Sequence, residues 1–487
     1  MNDEDLSFFE EEEFKENLAR YESMLQGGPS AYLDADELTD IAEYYLNRHR
    51  QQEADACIQY ALRLHPGSTD PLIFIARQKM FAGDQEGAKA VRDSISDAND
   101  REVVFLNAEL LLHETTGAEE ASKYLEQQIG NYEDTALFIY DSAYIFIDYG
   151  FFEEALKWAQ WYAGQKPGSK KCKYLFADAY GGLYETDMAK RYINQILDEN
   201  PYAVKYWLLL ADMQLQENRI NEAIDSCDFA LAIDENHVRA LLFKAGLLSQ
   251  NGDFDTAHQL LDRYCQLYPW DETGLLYDGA LLNNQNRYEE AYEKLQKALD
   301  AAGKQSPNLA QIYQQISFTC SCLHHEEEAF RYLDMAYGLD KNPVSYLVAQ
   351  GNILLENRHV DEACLRYMEA VHKSETPYET LLTGCVALCE FYHTERAYPY
   401  LRLIMQRTAS EDTKEQALAY LTFCCGHMNL PDKYLYYLKK ICKDNPQLAR
   451  SVLGDNFPDI PPEEYYDHVK RMLNIDKNKP DSADYPQ

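Results

Sequence analysis

The sequence predicts an all-α superhelical solenoid of about twelve helix-turn-helix units, and three observations carry that prediction. Residues 204–237 align with residues 238–271 without a gap, a period of 34 residues. Trp207, Leu210 and Ala211 fall over Leu241, Lys244 and Ala245, and Ala223, Cys227 and Ala230 over Ala257, Leu261 and Tyr264. Small residues recur at fixed points of two helical stretches through most of the chain, and proline repeatedly marks the end of the second. An internal period of this length signals a stacked array. It overrides the expectation of about three globular domains that 487 residues would otherwise raise.

The first 26 residues carry Asp3, Glu4, Asp5, Glu10 to Glu13, Glu16 and Glu22 against Lys15 and Arg20. Phe8, Phe9, Leu18, Tyr21 and Leu25 suit one amphipathic helix, ended by Gly27-Gly28-Pro29. Residues 1–34 are thus expected to form an acidic capping helix from about Phe9, with the first few residues frayed. Residues 35–448 are expected to form the array. Its first unit has Leu38, Ile41, Ala42 and Tyr45, then Ala54, Ile58, Ala61 and Pro66; Gly83-Asp84 marks the turn of the next. Units at 102–135, 136–169 and 170–203 lead into the aligned pair. After Asp271 the pattern continues to Ala298, slips phase at an insertion spanning 302–308, and resumes from Tyr313. The last two units are the most irregular, because Tyr434 stands where a small residue is expected.

Helix crossing explains the pattern. Two antiparallel helices approach closely only where a small residue sits at the contact. Ala143, Ala177, Ala211, Ala245, Gly279 and Gly351 fill that role on first helices; Ala155, Ala189, Ala223, Ala257, Ala291, Ala329 and Ala363 fill it on second helices. Pro66, Pro167, Pro201, Pro269 and Pro446 stop second helices, since proline lacks an amide proton and restricts the residue before it. Residues 449–475 read as an extended segment, Phe457 to Pro462, and a capping helix, Glu463 to Ile475, with a polar disordered tail at 476–487.

The unit 204–237, with Trp207, Leu210, Ala211, Ala223, Cys227 and Ala230, resembles the tetratricopeptide repeat family. It departs from the family at Glu235, where proline is preferred. The resemblance covers roughly residues 35–448. It implies a right-handed superhelix whose first helices line a concave groove for an extended or helical peptide. Carried over position by position, the candidate groove residues are Tyr140, Asp141, Tyr144, Asp148, Tyr174, Asp178, Lys205, Asp212, Arg239, Phe243 and Tyr277. Aromatics flanked by carboxylates suit a protein or peptide with apolar and basic anchors. Charge reversal of Asp178 and Asp212 to lysine is expected to weaken such binding. The family's clamp for carboxylate-ended chaperone tails uses Lys and Asn, and here Tyr140 and Tyr144, then Tyr174 and Asp178, occupy those places. The asparagine ladder of some members is reduced to Asn107 and Asn352.

Composition narrows the remaining classes. The chain is 46% hydrophobic and 26% charged, with 45 Lys and Arg against 82 Asp and Glu, a formal charge of −37. That excess argues against nucleic acid and against an anionic membrane surface, and it also serves solubility. No apolar run reaches membrane-spanning length, and the acidic start does not read as a secretory signal, so a cytoplasmic location is expected. The twelve cysteines follow no C-x-x-C spacing and read as reduced thiols. No nucleotide, hydrolase or metalloprotease motif occurs. Cys320, Cys322, His324 and His325, and separately Cys385, Cys389 and His393, approach metal-ligand chemistry without the pairing of a structural zinc site. No catalytic residue, cofactor or metal is therefore expected. Two alternatives to a non-enzymatic scaffold or adaptor stay open. One is an oligomerisation module that docks a second copy; the other is a peptide- or metabolite-responsive regulator flexing at Gly181-Gly182 and Gly246.

Overall fold

The computed structural model describes residues 8–9, 11–28, 32–48, 50–114, 117–303, 306–408, 410–458 and 460–473. The expected frayed start and disordered tail lie outside the described residues. Among the described residues there are helices and turns and no strand. The chain divides into two compact units, 1–281 and 282–487.

In the first unit, helix α1 (Glu12–Leu25) precedes seven helix hairpins. These are α2 (Ala35–Leu46) with α3 (Gln51–Leu64), α4 (Thr69–Phe81) with α5 (Gln85–Asp93), and α6 (Arg101–Leu112) with α7 (Gly117–Gln128). They continue as α8 (Thr135–Asp148) with α9 (Phe152–Gln165), and α10 (Lys170–Gly182) with α11 (Thr186–Glu199). The last are α12 (Val204–Gln216) with α13 (Ile220–Ile233), and α14 (Val238–Gln250) with α15 (Phe254–Leu267). The boundary falls inside α16 (Thr273–Asn284). The second unit has α17 (Tyr288–Ala301) and four hairpins. They are α18 (Leu309–Cys322) with α19 (Glu326–Leu339), α20 (Pro343–Glu356) with α21 (Val360–Lys373), α22 (Pro377–Glu390) with α23 (Thr394–Arg407), and α24 (Glu411–His427) with α25 (Pro431–Asp444). Helices α26 (Pro446–Leu453) and α27 (Tyr465–Met472) complete the chain's described helices. With α16 and α17 counted in sequence, the alternation gives the expected twelve pairs.

The turn inside each hairpin fixes the period. In the first unit Gly150, Tyr184, Asn218 and Gly252 all have positive φ, at steps of 34 residues. The next amide in each turn reaches back six-to-one, as in Phe151 N to Phe146 O at 2.8 Å and Arg219 N to Gln214 O at 2.9 Å. This is the Schellman closure, which satisfies the open carbonyls of the first helix and needs a left-handed residue. In the second unit the left-handed residues are Asn286, His324, Arg358, Tyr392 and Asn429. The step from 286 to 324 is 38, four more than the period, and locates the insertion between α17 and α18. The step from 392 to 429 is 37, because α24 has 17 residues where α22 has 14.

The crossings behave as the sequence requires. Ala143, Ala177, Ala211, Ala155, Ala189, Ala223 and Ala257 are all fully buried in the first unit. Second helices α3, α9, α11 and α15 end two residues before Pro66, Pro167, Pro201 and Pro269. Where a tyrosine of a second helix meets the first helix, the first helix supplies a glycine beneath its ring. A Cβ on Gly426 of α24 would lie 3.2 Å from the Tyr434 ring, and one on Gly351 of α20 would lie 2.4 Å from the Tyr367 ring. The hairpin α24–α25 therefore closes despite Tyr434.

Each unit covers its outer core with an element outside the repeat. Phe9, Phe14 and Tyr21 at α1 are buried with Leu38, Tyr45 and Cys57 of the first hairpin. Asn17 donates to Glu37 at 3.0 Å, and the Tyr45 hydroxyl to Glu22 at 3.1 Å. At the other end, Leu453, Phe457, Tyr465 and Val469 pack on Leu418, Leu438 and Ile441, with the Phe457 and Tyr465 rings 4.1 Å apart. Helix α26 has no counterpart in the repeat pattern; Pro446 both terminates the run after α25 and opens α26, where its missing amide is harmless. The final helix starts at Tyr465 after a 3₁₀ turn, two residues later than the sequence suggests.

Candidate functional site

The eleven candidate groove residues fall into a locked group and an accessible group. The locked group spans α8, α10 and α12. Tyr140 and Tyr144 have ring centroids 5.0 Å apart, and the Lys171 ammonium lies 4.3 Å from the Tyr140 ring. Tyr174 stacks on Tyr206 at 5.3 Å. Lys205 Nζ donates to Asp178 Oδ2 at 2.8 Å and lies 5.7 Å from the Tyr144 ring. Asp178 is 7% exposed. Burial raises its carboxyl above the usual range, against the pull of Lys205 and the hydroxyls of Tyr144 and Tyr206. Burial, and after it the Asp178 charge, raises the Tyr144 hydroxyl. Five of the candidates therefore serve one interlocked patch between successive first helices. Asp178 is a buried partner of Lys205, so its charge reversal would place two ammonium groups together and break the patch itself. It cannot serve as a probe of ligand binding.

The other candidates are more accessible, apart from Asp141, which forms an ion pair with Arg101 of α6. Asp148 is exposed at the end of α8. Asp212 on α12 is half-buried; desolvation raises its carboxyl, while Arg239 on α14 pulls it back. Arg239 itself is exposed, and Phe243 is half-buried against the Leu208 and Ala211 cluster. Tyr277 on α16 is 40% exposed. A further pair carried no signal in the sequence: Arg77 of α4 grips Glu109 of α6 through two hydrogen bonds, 3.0 and 2.8 Å, with Glu109 buried.

A well-formed recess lies in the second unit, outside the stretch that the sequence singled out. A cavity of about 550 Å³ is walled by α18, α19, α20 and α22 and by the α19–α20 turn, through Phe318, Tyr337, Tyr346 and Phe391 with Asp340, Glu356 and Glu390. A second recess of about 500 Å³ shares Asn352, Ala387 and Glu390 with it and adds Glu379 and Asp412. Among the described residues neither is lined by lysine, arginine or histidine. Tyr337 stacks on Tyr346 at 4.3 Å, and the Tyr346 hydroxyl donates to Asp334 at 2.5 Å. Burial raises the Glu390 carboxyl, and burial together with the Glu356 charge pushes the Cys322 thiol up to about 11. The signal was present in the period. Steps of 34 and 38 residues carry the place of Asp178 and Asp212 onto Phe318, and one more step carries it onto Asn352.

The two sets of cysteines and histidines do not gather into a site: among the described residues no group of three or more metal-ligating side chains forms. Cys320, Cys385 and Cys389 are buried thiols. Among the described residues no helix is long and apolar enough to cross a membrane.

Residues 214–269, from the end of α12 through α15, match the tetratricopeptide repeat family model. No curated protein matches the chain. Among solved structures, yeast Tom70 is similar at 13% identity and a TM-score of 0.45, over 91% of this chain and 97% of that one. A tetratricopeptide repeat protein from Parabacteroides merdae is similar at 14% identity and a TM-score of 0.38, over 59% and 98%. Pseudomonas aeruginosa pilF is similar at 20% and 0.34, over 44% and 96%. The matched segment contains two consecutive turns of a period that the left-handed turn residues repeat through both units, and residues 214–269 are tetratricopeptide repeat sequence.

Proposed function

We propose that the protein is a non-enzymatic scaffold that holds a protein or peptide segment along the faces of its first helices, through basic and apolar anchors on the ligand. One observation supports this most directly. On α12, α14 and α16 the side chains Asp212, Arg239 and Tyr277 keep accessible surface, while the opposite faces of the same helices are fully committed to the core. A stack of such helices offers many small subsites in register, and affinity accumulates along an extended contact. Tyr277 supplies apolar area with a polar tip, and Asp212 a partly desolvated carboxylate for a cation.

Selection of a random displayed peptide library on the full chain tests this reading. Binders are expected, and Asp212→Lys combined with Tyr277→Ala should weaken them roughly tenfold or more. Both residues lie outside the core, so the thermal midpoint should move by only a few degrees, about what 1 kcal/mol produces. A library that yields no binder, or binders indifferent to the double change, would overturn it.

A further inference from the structure

We propose that the paired recesses of the second unit form a binding site for an extended, arginine- or lysine-containing segment of a partner protein, its basic side chain seated between Glu356 and Glu390 with an apolar neighbour against Phe318 and Phe391. The inference rests on the scaffold reading and adds a place and a ligand chemistry to it.

Charge complementarity carries the argument. The two recesses gather the carboxylates of Asp340, Glu356, Glu379, Glu390 and Asp412 and, among the described residues, hold no cationic side chain. The corresponding faces of the first unit differ: there Lys171, Lys205 and Arg239 stand among the carboxylates, and Asp178 is already neutralised. Glu356 is half-buried and burial raises the Glu390 carboxyl, and carboxylates gathered at a recess without internal cations favour a cation from outside. Arginine suits it best, because its planar fork bonds a carboxylate while its face stacks on an aromatic ring. At about 550 Å³ the larger recess falls within the range of clefts that enclose ligands.

Two polar groups point to a peptide rather than a bare ion. Ser321, 4% exposed, lines the larger recess, and its hydroxyl is buried without a hydrogen-bond partner. An orphaned buried hydroxyl is costly, and a peptide group reaching it removes that cost. Asn352 is exposed where the two recesses meet, and its Oδ1 accepts from the Tyr367 hydroxyl at 2.7 Å. That bond fixes the amide and leaves its NH₂ to donate to a ligand carbonyl. Tyr367 is held in turn by the space that Gly351 and Gly384 leave for its ring.

The test uses the full chain and fluorescence anisotropy with three short labelled probes: a peptide alternating arginine and leucine, its glutamate-for-arginine counterpart, and its serine-for-arginine counterpart. Only the first should bind tightly, and added salt should weaken it. Because the whole chain is strongly acidic, the decisive comparison is between two variants of equal charge change. Glu356→Gln with Glu390→Gln should weaken the arginine probe tenfold or more. Glu362→Gln with Glu375→Gln, both exposed and outside the recesses, should leave it within twofold. Ser321→Ala should lower affinity about fivefold without destabilising the free protein, since the hydroxyl it removes is unpartnered. Equal weakening by both double variants would reduce the effect to bulk attraction and overturn the site, as would equal binding of the serine probe. If displayed peptides are weakened by Asp212→Lys with Tyr277→Ala but not by Glu356→Gln with Glu390→Gln, this site falls and the scaffold stands. If none binds, both fall.

Discussion

Lys205→Met is expected to destabilise the first unit by about 3 kcal/mol, the low end of the cost of removing one partner of a buried ion pair. The Lys205 side chain is 31% exposed and that of Asp178 only 5%. Loss of the ammonium therefore strands a carboxylate among Tyr144, Tyr206 and the backbone of α10. Burial sets the sign of the pH dependence. The Asp178 carboxyl already sits above its usual range, and without Lys205 it rises further. A folded state that binds this proton more tightly than the unfolded chain gains stability as pH falls through the raised value. The defect should be largest where the carboxyl is ionised and shrink on acidification. Adding Asp178→Asn to Lys205→Met should restore most of the loss, since a neutral amide can keep the tyrosine hydrogen bonds. Urea unfolding, monitored by the fluorescence of Trp207 on the same helix, measures all three. A variant as stable as the parent would mean that the patch is not a locked element.

Trp158→Ala carries the second large effect, about 3–5 kcal/mol for emptying a buried tryptophan site. Trp158 on α9 is 2% exposed, lies 6.2 Å from the Phe146 ring and 5.2 Å from Trp161, and donates its indole N–H to Ser122 Oγ at 3.0 Å. The change opens a void beneath α8, the helix that presents Tyr140 and Tyr144, and leaves the Ser122 hydroxyl without its donor. Trp158→Phe should lose less, because it refills most of the volume and forfeits chiefly the hydrogen bond. In a stack stabilised by nearest-neighbour contacts the damage is local. Amide exchange should accelerate most in α7 to α10, and uniform acceleration across the first unit would contradict that locality.

How far the chain was legible depends on what each residue must touch. The hairpins were readable because an alanine at a crossing and a proline past a helix end act on their own helix and its immediate partner. The turn shows the same economy: Tyr184, Asn218 and Arg358 occupy the left-handed place that Gly150 and Gly252 fill elsewhere, so the geometry persists where the residue type does not. Tyr434 misled in the opposite sense, since Gly426 on the facing helix had taken over the small residue's role. The binding face was less legible. Asp178 and Asp212 occupy the same place in consecutive repeats, yet one is buried against Lys205 and the other is half-buried near Arg239. A linear period gives the direction of a side chain from its helix, but not whether a residue on the next first helix reaches across to close it. The recess of the second unit was missed for a related reason. Phe318 and Asn352 lie in register with those aspartates only after the four-residue insertion is counted.

The central claim is that ligands lie along first helices. Hydrogen-exchange mass spectrometry of the full chain, with and without a saturating library-selected peptide, tests it most directly. Protection concentrated on first helices, in α12, α14 and α16 or in α18, α20 and α22, is the result predicted. Protection concentrated on second helices such as α13, α15, α19 and α21, with the first helices unchanged, would contradict it.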